Sequence, residues 1–192
     1  MLTSLLGIAL RLALVLTVLT GLVYPGVVTG AAQLLFPFQA NGSLLEDDGR
    51  VVGSALIAQG FTGPGYLHPR PSAAGDGYDA AASSGTNAGP LAARLREALA
   101  ERALAADSLG VPRGRIPADM ITASASGLDP HVSPASARLQ LARVARVRGV
   151  PPAALDTLLA RHIEPRTLLV LGEPRVNVLR FNLVLDSLHP IR

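Results

Sequence analysis

The chain has 192 residues, enough for one ordinary domain with an appendage. Hydrophobic residues make up 49% and charged residues only 16%, whereas soluble domains typically have roughly 25% charged residues. There is no Cys, and all 17 basic residues are Arg, giving a net charge of +3. The missing Cys excludes disulfides, thiolate metal ligands and cysteine nucleophiles. The missing Lys excludes a Walker A loop and Schiff-base chemistry, so we do not expect this chain alone to hydrolyse ATP.

Residues 12–36 form an uncharged, apolar stretch near the N-terminus. As a helix, this stretch would be about 37 Å long, enough to cross the ~30 Å hydrocarbon core of a bilayer. Pro25 lies in its middle and lacks a backbone donor, which predicts a kink. We therefore expect a transmembrane anchor over residues 1–37, followed by a second domain over residues 38–192.

The charges on either side of the apolar stretch predict its orientation. Arg11 precedes it, whereas Glu46, Asp47 and Asp48 follow it. Because positive flanks stay in the cytoplasm, the N-terminus is expected inside and the following domain outside. The alternative is a cleaved signal peptide with a weak cleavage motif at residues 29–31. The length of the stretch and its single leading Arg favour the anchor.

Three helices are predicted in the second domain. The first begins at Pro90 and reaches residue 106, with Asn87 as its upstream cap. The second begins at Pro134, with Ser133 as its N-cap, and ends at Gly149. The third covers residues 152–163 and stops before the proline at position 165.

Strand patterns in this domain are shorter. Residues 51–57 and 167–171 are predicted strands, and residues 176–185 fit a strand and a helix about equally well. These elements predict an α+β fold, a small mixed domain behind a single transmembrane helix. Basic runs interleaved with aromatic residues are missing, so nucleic acid is not an expected partner.

Four polar, turn-rich segments remain as candidates for function, at residues 53–61, 66–79, 83–90 and 122–134. In the second of them, Arg70 lies between two prolines that restrict its backbone. This arrangement suits either an anchor for a carboxylate or for a partner's carbonyls, or a structural salt bridge, and we favour the structural role. His68 is expected to be a satisfied hydrogen-bonding residue.

The third segment, SSGTNAGP, has Gly85 and Gly89 on either side of Asn87, just before a predicted helix. Small residues at a helix N-terminus can cradle an anion, but the spacing is not that of a phosphate loop and the Lys is missing. The outline G-T-N-A-G also resembles a nucleophile elbow, with Asn87 where the serine should stand. A capped helix start is the favoured interpretation.

The fourth segment concentrates hydroxyl, carboxylate and imidazole groups, at Thr122, Ser124, Ser126, Asp129, His131 and Ser133. A Ser–His–Asp triad is one interpretation, although triad members normally come from distant positions. Asp129 and His131 supply only two ligands, too few for a metal site. We favour a structural role, in which Ser133 caps a helix and Asp129 shapes the preceding turn.

Two glutamines are candidates for recognising the amide or ring edge of a ligand. Gln59 lies in the first polar segment, and Gln140 lies within the second predicted helix. Gln140 is the only candidate for a nucleotide contact, and it is a weak one, because a solvated polar face is the default explanation for it.

The apolar stretch, the polar segments and the C-terminal region together resemble the C subunit of the Kdp-type potassium-transporting P-type ATPase. The motifs that carry the resemblance occur in order along nearly the whole chain: LTGLVYP, QANGSL, GSALIAQGF, RPSA, SSGTNAGP, TASASGLDPHVSP, RVARVRG and LGEPRVNVLRFNLVLD. Two motifs depart slightly from the family pattern, since GTNAGP replaces GSNLGP and SASG replaces SGSG. Each of the three changed residues replaces one small or apolar residue with another.

The resemblance implies an accessory, non-catalytic subunit with one span in the bacterial inner membrane. Its implied partners are a channel-like potassium-selecting subunit, an ATP-hydrolysing pump subunit and a small single-span subunit. The family is described as a catalytic chaperone that raises the ATP affinity of the pump subunit. No firmly bound cofactor, metal ion or catalytic residue is implied for this chain, and ATP would act through the pump subunit.

Eight residues are the candidates for contacts with partner subunits: Tyr24, Pro25, Arg70, Asn87, Asp129, His131, Asn177 and Asn182. The competing hypothesis is a membrane-anchored envelope hydrolase or solute-binding domain that acts alone. It predicts activity or ligand affinity in the isolated domain and a requirement for Ser126 or His131. A third hypothesis is a plain structural anchor, which predicts no effect on ATP turnover in the complex.

Overall fold

A computed structural model describes residues 2–108 and 113–191. Contacts divide the chain into two compact units, Met1–Leu44 and Leu45–Arg192. The first unit is almost entirely helical: α1 (Leu2–Val18), a π-helical turn (Leu19–Val23), α2 (Tyr24–Leu35) and the short α3 (Pro37–Ala40). The second unit is a small mixed domain of helices and short strands. The predicted α+β class is confirmed.

The N-terminal helix is longer than the predicted span. Thr3–Leu35 form a continuous apolar helix of 33 residues, and its most apolar window is 0% buried. The helix therefore includes Arg11, which was expected to precede the span. Its exposed apolar surface and its length fit a helix that crosses a bilayer.

Around Pro25 the helix departs from α-helical hydrogen bonding. The five residues Leu19–Val23 form a π-helical turn, in which the N–H of Tyr24 donates to the carbonyl of Leu19, five residues back. Proline has no N–H of its own and its ring crowds the carbonyl of the preceding turn, so widening that turn accommodates it. The structure thus has a π-helical turn directly before Pro25, and the kink predicted there stays a prediction.

The mixed domain opens with a hairpin that the sequence analysis did not predict. β1 (Leu44–Asp47) and β2 (Arg50–Ser54) form a two-stranded sheet. They are joined by Asp48 and Gly49, whose φ angles of 48° and 74° suit a tight two-residue hairpin turn. The predicted strand at residues 51–57 therefore begins one residue earlier and ends at Ser54.

The next helix starts later than predicted. α4 (Ala93–Ser108) is followed by a 3-10 turn (Arg113–Arg115) and a short helix, α5 (Ala118–Ile121). Asn87 is not the helix cap, because its backbone lies in the left-handed region with φ 47°. Its carbonyl instead accepts a hydrogen bond from Arg94 Nη2 at 3.2 Å.

The remaining helices are α6 (Pro134–Arg148), α7 (Pro152–His162) and α8 (Val178–Leu188). The predicted termini of the second helix are confirmed: Ser133 Oγ accepts the N–H of Ser136 at 3.0 Å, and Gly149 ends the helix with φ 65°. The third predicted helix is also confirmed. A short strand, β4 (Ile163–Glu164), follows it directly.

A three-stranded antiparallel sheet and three helices enclose the core of this domain. β5 (Arg175–Asn177) lies between β3 (His131–Val132) and β4, and Val176 pairs with both Val132 and Ile163. Most of the largest fully buried apolar side chains come from these helices and from the central strand, and Leu67 adds one from a loop: Phe181, Leu67, Leu155, Leu159, Leu185, Val144 and Val176. The ambiguous segment 176–185 is thus strand first and helix second, with Asn177 as the N-cap of α8.

The predicted strand at residues 167–171 is wrong. Thr167 and Leu171 pair only with each other, as an isolated bridge across a tight loop. Leu168 and Leu169 have φ angles of 52° and 67°, which are incompatible with an extended strand. The apolar run resembles a strand because its residue types favour strands, but its side chains all point into solvent.

Candidate functional site

The candidate site is the set of polar loops at residues 66–79, 83–90 and 122–134. Arg70 joins two of these loops. Its Nη1 donates to Asp129 Oδ2 at 3.1 Å, and its Nη2 lies 3.4 Å from both Thr122 Oγ1 and the carbonyl of Ala123. The structural salt bridge favoured for Arg70 is therefore present, and the adjoining prolines hold the backbone that carries it.

Asp129 connects Arg70 to His131. Asp129 Oδ1 accepts the backbone N–H of His131 at 3.0 Å and lies 3.4 Å from His131 Nδ1. Burial by itself raises the pKa of Asp129, but hydrogen bonds from His131 and Arg70 outweigh it, so this pKa lies below its ordinary value. Asp129 is consequently a carboxylate at neutral pH that fixes the turn before α6.

Two further residues, which the sequence analysis missed, extend this connection into the sheet. His131 Nε2 lies 3.7 Å from Glu164 Oε2, and Arg175 Nε lies 3.1 Å from the same oxygen. Glu164 and Arg175 face each other because β4 and β5 pair in that register. The sequence carried no local signal for this pair, since only the strand pairing brings the residues together.

The glycines of two loops allow their backbones to approach closely. Ser84 N–H and Ser83 Oγ both donate to the carbonyl of Ser126, at 3.0 and 2.9 Å. A Cβ on Gly85 would lie 2.5 Å from the carbonyl oxygen of Ala125, and one on Gly127 would lie 2.6 Å from the carbonyl oxygen of Ser84. The loops that carry the motifs SSGTN and SASG are therefore packed directly against each other, and small residues at Gly85 and Gly127 make this contact possible.

The hydroxyl groups of the fourth segment shape turns in the described structure. Ser126 Oγ accepts the N–H of Leu128 at 3.1 Å and lies 3.4 Å from Ser124 Oγ. Ser133 Oγ caps α6 and donates to Asp119 Oδ1 at 3.0 Å. Asp119 is thus a hydrogen-bond partner of Ser133 that the sequence did not predict.

Gln140 and Asn182 clamp the backbone of the segment that leads to Arg70. Gln140 accepts the N–H of His68 at 2.8 Å and donates to its carbonyl at 3.1 Å. Asn182 makes the equivalent pair with Leu67, at 2.9 Å in both directions. Both amides are buried, so neither lies on a solvated face. The His68 ring is satisfied as expected, with Nε2 donating to the carbonyl of Gly63 at 3.0 Å, and burial lowers its pKa.

Asn177 is also an interior residue. Its side chain accepts the N–H of Arg180 and donates to the carbonyl of Ala55 at 2.8 Å. Asn177 and Asn182 are 4% and 1% exposed, so their side chains hold the domain together and do not face a partner. This corrects their selection as interface candidates. The signal that could have found their role is the spacing of polar amides inside the apolar run VNVLRFNLVL.

The remaining candidates for partner contacts do not form a single site. Arg70, Asp129 and His131 come together in one connected group, whereas Asn87 lies in an exposed loop. Tyr24 and Pro25 belong to the N-terminal helix, where Tyr24 is 68% exposed. Gln59 folds over Gly53 and donates to the carbonyl of Val52 at 2.7 Å.

Gln140 also lines a cavity of the mixed domain that has a volume of about 310 Å³. Besides clamping His68, Gln140 Oε1 accepts a hydrogen bond from Arg143 Nη2 at 2.9 Å. Among the described residues, no group of three or more His, Asp or Glu side chains could hold a metal ion.

An apolar helix of membrane-spanning length, joined to a small mixed domain whose polar loops are hydrogen-bonded to one another, fits the class of membrane-anchored proteins with one small domain. The family model for the K+-transporting ATPase, c chain, matches residues 6–187. The chain belongs to this family.

Relatives with the same description cover nearly the whole chain. The potassium-transporting ATPase KdpC subunit of Gemmatimonas aurantiaca is 64% identical over 184 residues, covering 93% of this chain and 92% of its own. The corresponding subunit of Myxococcus xanthus is 61% identical over 181 residues, covering 93% and 85%. That of Koribacter versatilis is 53% identical over 182 residues, covering 94% and 93%.

Proposed function

We propose that this chain is the non-catalytic, single-span accessory subunit of an ATP-driven potassium uptake complex. The observation that carries the proposal is the family match over residues 6–187, together with relatives of nearly equal length that are named as potassium-transporting ATPase subunits. Because the match includes both the helix and the mixed domain, the role belongs to the chain as a whole.

The contacts in the polar loops support a non-catalytic role. A hydrolytic serine needs a base within hydrogen-bond reach. The Oγ of Ser126, the serine that the competing hypothesis requires, instead accepts the N–H of Leu128 and lies beside Ser124 Oγ, and Ser133 Oγ is the N-cap of α6. His131 lies between Asp129 and Glu164, where it connects a turn to the sheet. These groups hold loops in place, which is what a docking module requires.

The proposed partners are a channel-like potassium-selecting subunit, an ATP-hydrolysing pump subunit and a small single-span subunit. The N-terminal helix supports assembly in a membrane, because its apolar side chains are exposed over its whole length and require lipid or other helices around them. We place the N-terminus in the cytoplasm of a bacterial cell and the mixed domain outside. Arg11 before the apolar core and Glu46, Asp47 and Asp48 after it support this orientation.

The subunit is further proposed to act as a catalytic chaperone that raises the ATP affinity of the pump subunit without touching the nucleotide. An outside domain cannot reach cytoplasmic ATP, so the effect must be a coupling between distant sites, which thermodynamic linkage allows. The use of Gln140 as a backbone clamp supports this indirect route. The domain itself would steady the channel-like subunit at the ion entrance.

Affinity purification in mild detergent tests the assignment. The tagged chain should bring down the three partners, and a strain lacking it should fail to grow when potassium is limiting. The complex without this chain should show a raised KM for ATP, while the purified chain alone should hydrolyse nothing. The variant Ser126→Ala should restore growth as well as the wild type. Turnover by the purified chain would refute the accessory role.

Orientation is tested separately by labelling a single thiol. Because the natural chain has no Cys, Ser187→Cys on the exposed side of α8 introduces the only one. A membrane-impermeant maleimide should label it in sealed cells. Labelling that requires permeabilised cells would place the domain in the cytoplasm.

A further inference from the structure

The loop between β4 and β5 forms a projecting arm, defined here as residues 165–174. Every residue of the arm is exposed. Its tip, residues 168–171, carries four large aliphatic side chains that are 79%, 81%, 70% and 57% exposed. Elsewhere in the described part of the mixed domain, exposed large aliphatic residues occur singly along the sequence. Single exposed aliphatic residues are ordinary, but a contiguous group marks an interaction site.

The arm has a fixed conformation of its own. Thr167 and Leu171 exchange two backbone hydrogen bonds, both 2.9 Å, and Leu169 N–H donates to the carbonyl of Arg166 at 3.1 Å. Below the tip, Arg166 Nη2 lies 2.7 and 2.6 Å from the two carboxylate oxygens of Glu173. A surface that is ordered before binding loses less conformational entropy when a partner arrives.

The backbone of the tip is strained. Leu168 and Leu169 lie in the left-handed region, with φ angles of 52° and 67°. Leucine adopts this conformation rarely, because its Cβ approaches the following carbonyl oxygen, whereas Gly or Asn would adopt it more easily. Two consecutive leucines therefore make the conformation of this loop less favourable, but they supply exposed apolar surface. This combination indicates a function in binding.

The size and charge of the tip indicate which kind of partner could bind it: a second copy of the chain, a lipid surface or another protein. Four side chains fall short of the roughly 800 Å² per partner that a stable dimer buries, so the tip alone does not hold a second copy. Lipid-facing anchors typically combine aliphatic residues with Trp or Tyr and with unpaired basic residues. The arm has no aromatic residue, and Glu173 neutralises its Arg. A small, neutral, preformed apolar tip matches the core of a protein interface, which is depleted in charge.

We propose that the tip inserts into an apolar pocket on another protein subunit of the same transporter, as one anchor within a larger interface. This inference rests on the proposed function, because it requires the multi-subunit complex. It identifies the arm as a contact that fixes the mixed domain on a protein surface.

Cross-linking from the tip identifies what covers it. Leu169→Cys provides the single thiol of the chain, to which a benzophenone maleimide is attached before the purified subunit is mixed with a complex lacking it. Irradiation should give a covalent adduct with one transporter subunit. The matched control is Leu91→Cys, at a leucine that is 89% exposed but lies outside the arm, and it should give at most about a tenth of that adduct. An adduct with lipid, with a second copy of this chain, or with nothing would overturn the proposal.

Substitution of the tip measures what the contact contributes. In the full-length double variant Leu168→Asn/Leu169→Asn, the amount retained in the complex after detergent washing should fall about tenfold or more. Because Asn accepts the left-handed conformation, the thermal unfolding midpoint of the purified subunit should not fall. The control Leu91→Asn should be retained like the wild type. If the wild type itself does not co-purify, the proposed function fails; if wild type and double variant are retained equally, the inference about the arm fails.

Discussion

The backbone of Leu67 makes both of its hydrogen bonds with the side chain of Asn182, although 115 residues separate the two in the sequence. The amide of Asn182 therefore replaces a neighbouring strand, donating to the carbonyl and accepting from the N–H. Gln140 does the same for His68, the next residue along. Two helices thus hold the start of the segment that carries Arg70 through side-chain amides. Its other end is held by a backbone hydrogen bond from the N–H of Ser124 to the carbonyl of Pro71.

The Asn182 clamp should contribute strongly to stability. Asn182→Leu keeps a branched side chain at this position but leaves the buried N–H and carbonyl of Leu67 without partners. The free energy of unfolding should fall by about 2–4 kcal/mol, since each unpaired buried group costs about 1–3 kcal/mol. Urea unfolding of the full-length chain in detergent measures this change. Ser187→Ala, an exposed position on the same helix, should change it by less than about 0.5 kcal/mol, and equal effects would contradict the clamp.

The loop-to-loop contact can be tested with a matched pair of glycines. Gly127 and Gly149 have similar φ angles, 71° and 65°, but a Cβ at Gly127 would collide with backbone atoms, whereas one at Gly149 would meet open space. Gly149→Ala should cost about 1–2 kcal/mol through its backbone conformation alone. Gly127→Ala should cost at least about 2 kcal/mol more in the same unfolding measurement. Equal costs would show that the two loops separate easily.

The ion pair of Asp129 predicts a specific dependence of stability on acid. The pKa of Asp129 is lowered in the folded protein, so its contribution is present above the unfolded pKa of about 3.8 and is lost as the pH falls through the folded value. Unfolding measured between about pH 2 and pH 5 should show this loss in the wild type and a shallower slope in Asp129→Asn. In Arg70→Met the loss should be smaller and should be complete at higher pH, because one group that lowers the folded pKa has been removed. An unchanged pH profile in both variants would contradict this account.

The N-cap of α6 should contribute about 1–2 kcal/mol to the free energy of unfolding. Ser133 Oγ accepts the N–H of Ser136 and also donates to Asp119. Ser133→Ala should therefore lower the thermal unfolding midpoint. Ser133→Thr retains the hydroxyl and should restore most of the loss. Failure of Thr to recover any stability would mean that the hydroxyl does not act as the cap.

Local chemistry was enough to predict several elements. Ser133 with Pro134 at one end and Gly149 at the other define α6, because capping and left-handed termination depend on residues next to one another. The apolar stretch near the N-terminus was likewise evident from composition. The hairpin turn at Asp48 and Gly49 was readable in the same way but was missed.

The sequence by itself determined the apolar helix, the termini of α6 and α7, the mixed character of the domain and the family to which the chain belongs, because each depends on residues close together or on the order of motifs. Only the tertiary structure decided that Asn177, Asn182 and Gln140 are interior clamps. It alone paired Glu164 with Arg175 and showed that the predicted strand at residues 167–171 is an exposed loop. Hydrogen bonds between groups far apart in the sequence, and the presence or absence of a neighbouring strand, leave no mark in local residue patterns.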